Sequence, residues 1–222
     1  MIVFSLVACA SAFAQKPSNP ALLVPQAAPE LDYVATVHHG IDLDALPFSA
    51  TGGDALVAFG RIHPDKGTAA AIDIARRAGR RLVICGIIQD ARYFDQQVQP
   101  HVDGDRVIYL GSVGPDRRAE VLGAAAALLH PIAFPEPFGL SVVEAMACGT
   151  PVITYPRGSM PEVVDAGVTG FLVDGVEAAA AAVDRAAALD RAAIRRVAER
   201  RFGAARMVED YLAVYQRVIG AR

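Results

Sequence analysis

Cysteine is scarce in this sequence, and its three copies, Cys9, Cys85 and Cys148, stand far apart with no C-x-x-C pair. That spacing argues against a disulfide framework and against a zinc site, and three reduced thiols suit a cytoplasmic protein. Basic runs are missing as well. The 21 Lys and Arg are scattered among 24 Asp and Glu, for a formal net charge of −3, so no nucleic-acid partner is expected. No stretch reaches the roughly 18 apolar residues of a membrane-spanning helix. No His/Asp/Cys cluster offers itself to a metal, and the GxxxxGK[ST] spacing of a Walker A loop is absent.

What remains is an ordinary globular composition. Over 222 residues, 53% are hydrophobic and 20% charged, enough for a well-filled core in one large or two small domains. The N-terminus admits two readings. Met1 to Ala14 carry no charge and end in Ala12-Phe13-Ala14, an A-x-A pattern that would pass for a signal-peptide cleavage site. Yet no Lys or Arg precedes the apolar run, which favours a buried strand over Ile2 to Ala8. Residues 16–32 read as a linker, because Pro17, Pro20, Pro25 and Pro29 would break any helix there.

From Ala55 onward, short apolar runs alternate with longer helical patterns. Strands are expected at Leu56–Phe59, Arg81–Cys85, Val107–Leu110, Ala127–His130, Val152–Thr154 and Gly170–Val173. Helices are expected over about 67–79, 90–98, 115–124, 140–148 and 160–166, over the Ala-rich tract 178–189, and over 190–201 and 204–219. Such alternation predicts an α/β fold, a Rossmann-like doubly wound parallel sheet with helices on both faces.

Ligands of such sheets bind at the carboxyl ends of the strands, so the residues that follow each strand carry the functional argument. The first strand leads into Gly60-Arg61-Ile62-His63-Pro64-Asp65-Lys66-Gly67. Here Arg61 and Lys66 leave one strand end as fixed positive charges, and Lys66 is expected to open a helix whose N-terminus also favours an anion. A diphosphate would suit that cradle; the plainer reading is a strand–helix turn with two solvated cations. The fourth strand leads into Pro131 to Leu140 and then the helix from Ser141 to Cys148. Glu136 sits in the Pro-braced loop, and Glu144 lies eight residues on, on the helix face that Leu140 shares. A carboxylate there can accept hydrogen bonds from sugar hydroxyls, and free amides at Gly139 and Leu140 can donate to a phosphate. A glycosidase acid/base pair is the weaker reading, since one carboxyl would stand behind a helix N-terminus that prefers phosphate.

The run Glu136 to Glu144 resembles the E-x7-E motif of the retaining GT-B glycosyltransferases, the large group 1 family that includes glycogen and sucrose synthase relatives. Val37-His38-His39-Gly40-Ile41-Asp42 is similar to the family's V-x-N-G-[IV]-D segment. Phe59-Gly60-Arg61 with Lys66-Gly67 is similar to its phosphate loop. Gly149-Thr150-Pro151-Val152-Ile153, Pro161-Glu162-Val163-Val164 and Gly167 to Val173 follow in the family's order. Pro156-Arg157-Gly158-Ser159 departs from it, standing where a Gly-Gly pair is common.

The resemblance implies a division into residues 1–36, a remnant of an otherwise absent N-terminal domain with its linker; 37–202, a nucleotide-sugar-binding domain; and 203–222, a C-terminal crossover helix. It implies that Arg61 and Lys66 bind the donor diphosphate, that Glu144 holds the ribose hydroxyls, and that Glu136 contacts the donor sugar near the reacting carbon. Phe138, Gly139 and Leu140 would supply backbone contacts, Val113 would lie beside the base, and Arg118 takes a position often basic in the family. No metal and no cofactor are implied. The expected partners are a nucleotide diphosphate sugar, with UDP-glucose as the default, and an unidentified acceptor. An isolated donor half would transfer little sugar. Two other classes remain open on the residues alone: a non-catalytic nucleotide-sugar-binding module, and a hexosamine-nucleotide epimerase, whose members generally lack the E-x7-E run.

Overall fold

The computed structural model describes residues 34–220. The two readings of residues 1–14, the linker over 16–32 and Cys9 therefore lie outside the described residues.

Among the described residues, six parallel strands form one sheet: β1 (Leu56–Phe59), β2 (Leu82–Cys85), β3 (Val107–Gly111), β4 (Ala127–His130), β5 (Val152–Thr154) and β6 (Gly170–Leu172). Their order is β3-β2-β1-β4-β5-β6. Leu56 of β1 pairs with Leu82 on one side and with Ala127 on the other, so β1 and β4 are neighbours at the middle of the sheet. The strands are apolar on both faces because helices cover both. Val57, Leu128 and Val152 enter one core with Val142, Met146, Ile194 and Phe202. Their strand neighbours Leu56, Leu129 and Ile153 point the other way, into a second core with Ile72, Ile74 and Val183. Period-two alternation thus feeds two cores from each strand.

The helices are α1 (Thr68–Arg77), α2 (Ala91–Tyr93), α3 (Pro115–Gly123), α4 (Leu140–Ala147), α5 (Met160–Val163), α6 (Gly175–Ala187), α7 (Arg191–Phe202) and α8 (Ala204–Gly220). Two depart from the sequence expectation. In place of one helix over 90–98, α2 makes a single turn, N-capped by Asp90. It then widens into a π turn (Phe94–Val98) and tightens into a 3-10 turn (Gln99–His101). Pro100 explains the break, since its ring would clash with the carbonyl four residues back in a regular α-helix. The helix expected over 160–166 ends at Val163, because the Asp165 amide donates to the Thr169 hydroxyl (2.9 Å) instead of continuing the ladder.

The connection between α7 and α8 returns to the start of the described chain. The Ile41 amide donates to the Phe202 carbonyl (2.7 Å), and the Ala204 amide donates to the Ile41 carbonyl (3.0 Å). This pairing sets His38 and His39 beside Phe138, at the rim of the sheet's carboxyl end.

Candidate functional site

Strand order creates the site. The chain leaves β1 toward one face of the sheet and β4 toward the other, so a crevice opens between the two loops at their carboxyl ends. On the β1 side, Lys66 does not open the helix as expected. Pro64–Lys66 form a 3-10 turn whose cap is His63, with its Nδ1 accepting from the Asp65 amide (3.2 Å). Gly67 (φ 70°) then reverses the chain, and α1 starts only at Thr68. The left-handed residue is what separates Lys66 from the helix.

On the β4 side the loop folds Glu136 inward until its side chain is 8% exposed. The Lys66 ammonium lies 2.5 Å from Glu136 Oε2 and 4.7 Å from the Phe134 ring centroid. The imidazole of His130, the last residue of β4, places Nε2 3.5 Å from the same carboxylate oxygen. Burial alone would raise the Glu136 carboxyl, but the facing His130 imidazole and the Lys66 ammonium outweigh it and hold the carboxyl at about 2. Burial pushes the other way on His130, lowering it below the ordinary histidine range, so the ring is neutral at pH 7.

A third segment braces this loop from behind. The Ser159 amide donates to the Glu136 carbonyl (2.8 Å) and the Ser159 hydroxyl to the Phe138 carbonyl (3.0 Å). The contact is possible because Gly158 has no side chain. With φ at 61°, a Cβ there would stand 2.2 Å from the Glu136 carbonyl oxygen and 2.3 Å from its amide nitrogen. Arg157 donates to the Ala133 carbonyl (2.8 Å) and ties the other end of the loop to the same segment.

The resulting crevice has a volume of about 480 Å³ and is lined by His39, Gly60, Arg61, Lys66, Glu136 and the run Pro137 to Ser141. Six of the residues singled out from sequence therefore converge: Arg61, Lys66, Glu136, Phe138, Gly139 and Leu140. Gly139 begins α4 without a side-chain cap, so the first-turn amides have no such partner. Phe138 buries its ring against His39 (5.2 Å between centroids) and Phe202 (5.8 Å). Both cations already have internal partners, Lys66 with Glu136 and Arg61 with the Gln89 side chain.

Three other singled-out residues stand outside the crevice lining. Glu144, one turn along α4, accepts from Arg118 (2.7 Å). Burial raises the Glu144 carboxyl, and Arg118 opposes that. Arg118 also lies over the Phe59 ring, 5.6 Å from its centroid. Val113 is buried in the loop after β3. Sequence reasoning passed over His130 and Gln89, and it marked Gly158 and Ser159 only as part of a departure from the family's pattern. For His130 a signal existed, a polar residue closing an otherwise aliphatic strand at its carboxyl end.

Residues 48–201 match the family described as Glycosyl transferases group 1. The chain belongs to that family. The D-inositol 3-phosphate glycosyltransferase of Mycolicibacterium smegmatis is 33% identical over 214 residues, covering 84% of this chain and 48% of the relative. The Mycobacterium bovis enzyme of the same name is 32% identical over 219 residues, 84% of this chain and 44% of the relative. The chain thus spans about half the length of these curated relatives. Among solved structures, AviGT4, a glycosyltransferase involved in avilamycin A biosynthesis, superposes with a TM-score of 0.71 at 28% identity, over 84% of this chain and 59% of that one. Sucrose-phosphate synthase from Thermosynechococcus elongatus gives 0.72 at 26% identity, over 84% and 53%.

The group 1 domain seen here has the Rossmann-like architecture of the C-terminal half of a GT-B enzyme. Among its described residues, no helix is long and apolar enough to cross a membrane. Cys85 and Cys148 are buried free thiols, each pushed up to about 11 by burial.

Proposed function

We propose that this group 1 domain binds a nucleotide diphosphate sugar and serves as the donor half of a hexosyltransferase that retains anomeric configuration. The observation that carries the reading is the convergence of Arg61, Lys66, the uncapped start of α4 and Glu136 on one crevice at the sheet's switch point. Residues 37–202 would be the donor domain and residues 203–222 a helix crossing to the acceptor half.

In this reading the leaving diphosphate develops charge against the first-turn amides of α4, which are already in place, and against Arg61 and Lys66, which turn to it from Gln89 and Glu136. Glu136, held at about 2, stays anionic at neutral pH. It therefore acts as a hydrogen-bond acceptor for sugar hydroxyls and a counter-charge to positive charge on the reacting carbon, and not as a proton donor. The same property counts against a glycosidase pair, which needs one protonated carboxyl facing the bond to be broken. Glu144, whose carboxyl is raised, is engaged by Arg118 and does not line the crevice. It would reach a ribose only once a donor draws it from Arg118.

The test is thermal-shift and calorimetric titration with UDP, GDP and ADP, each with a chelator present, followed by UDP-glucose as the first donor. Stabilisation by one nucleoside diphosphate without added metal is the expected result. Indifference to all of them refutes the reading.

A further inference from the structure

His130 is the one polar side chain of β4, and it is 4% exposed. Its backbone oxygen is already used, accepting from the Thr154 hydroxyl (2.8 Å) and the Ile132 amide (2.9 Å). An imidazole placed so deep loses its hydration and needs a partner to offset the loss. Among the described residues, Nε2 makes no regular hydrogen bond, and the polar atom it faces is Glu136 Oε2 at 3.5 Å. Lys66 shares that oxygen, and among the described residues Oε1 has no protein partner. The two ionisable groups that act on Glu136 are therefore of different kinds. Lys66 sits on a flexible stem beside the crevice, whereas the imidazole is fixed on a strand in the middle of the sheet.

That difference matters when an anion enters. A diphosphate beside Lys66 draws the ammonium toward itself and loosens its hold on the carboxylate. A second, immobile donor would keep the carboxylate in place. We propose that His130, carrying its proton on Nε2, is a positioning residue that anchors Oε2 of Glu136 from beneath as Lys66 turns to the diphosphate, leaving Oε1 aimed at the donor sugar. The proposal rests on the reading of Glu136 as a donor-sugar contact, and its test separates the two.

The full chain is labelled with 15N-histidine and 13C-carboxyl glutamate, and the Glu136 signal is assigned by its loss in Glu136→Gln. The wild-type His130 ring is expected to show a protonated Nε2; a lone pair on Nε2 overturns the proposal, whatever any variant does. His130→Phe keeps a ring but removes the donor, and Glu136 should then titrate about one pH unit higher, with and without UDP. His130→Gln, whose side-chain amide restores a donor, should return the titration toward wild type. An unchanged Glu136 titration in folded His130→Phe also overturns the proposal. Affinity for UDP-glucose should fall about tenfold in His130→Phe, while UDP alone stays within about twofold. If the titration moves but UDP-glucose affinity does not, the anchor is supported, and it is the donor-sugar reading of Glu136 that fails.

Discussion

Replacing Glu136 by Gln should tighten the binding of UDP. In the free protein the Lys66 ammonium is 2.5 Å from Glu136 Oε2, so a diphosphate must compete for a cation that is already paired. The carboxylate also repels it. At an effective dielectric of about 20, two unit charges about 5 Å apart interact by about 3 kcal/mol, an upper bound that solvent and relaxation reduce. The amide of Gln can still accept from Lys66, but it lacks the negative charge that holds the ammonium in the wild type. A net gain of about 1–2 kcal/mol for UDP follows, or roughly five- to thirtyfold in affinity. UDP-glucose should gain less, because its sugar loses the carboxylate. Calorimetry at pH 7.5 measures both. In the Lys66→Met background the gain for UDP should shrink to the relief of repulsion alone, since no cation is released. Unchanged or weakened UDP binding in a Glu136→Gln protein of normal thermal stability would refute the competition between carboxylate and diphosphate.

Most of the fold was legible because each strand is a short apolar run closed by Gly, Pro or charge. Leu56–Phe59, Ala127–His130 and Val152–Thr154 occur at the expected residues, and the other three strands differ by one residue at one end. The misses have local causes, Pro100 in the helix after β2 and the Thr169 hydroxyl after Val163. The site was legible only by halves. Arg61 and Lys66 could be found as cations after one strand, and Glu136 to Leu140 as a constrained loop after another. That the two halves touch depends on β1 lying beside β4, which strand–helix alternation does not specify. Lys66 and Glu136 are 70 residues apart in the chain, and their ion pair exists through that adjacency. The role of Gly158 was hidden for the same reason. The family's Gly-Gly pattern marks its segment, but that the glycine meets the Glu136 backbone depends on the segment after β5 lying against the loop after β4.

Arg61→Ala should weaken UDP by about 1.5–3 kcal/mol while leaving uridine nearly unaffected, measured by calorimetry; equal losses would make the residue structural. Gly158→Ala forces a Cβ onto the Glu136 backbone at a left-handed φ and should cost about 1–3 kcal/mol in urea unfolding, with unchanged stability as the refuting outcome. Arg118→Ala leaves Glu144 half-buried and unpaired, so it should destabilise by about 1–3 kcal/mol at pH 7 and much less at pH 4, where protonation removes the charge. An equal deficit at both pH values would show that Arg118 matters through packing and not through charge. The acid limb of stability tests the Glu136 environment itself. Its folded value, about 2, lies below the ordinary 4.5, so the folded state favours the carboxylate. Stability from this group is complete above pH 4.5 and is lost as the pH falls toward 2. A shift from 4.5 to about 2 corresponds to about 3 kcal/mol at most. His130, lowered by burial, also loses stability in acid, but from its ordinary 6.5 downward, and Glu136→Gln retains that loss. Urea unfolding of wild type and Glu136→Gln between pH 7 and pH 2.5 should therefore give curves that run parallel above pH 5 and converge below it. Curves that stay parallel down to pH 2.5 would mean that Lys66 and His130 do not hold the carboxylate as the geometry requires.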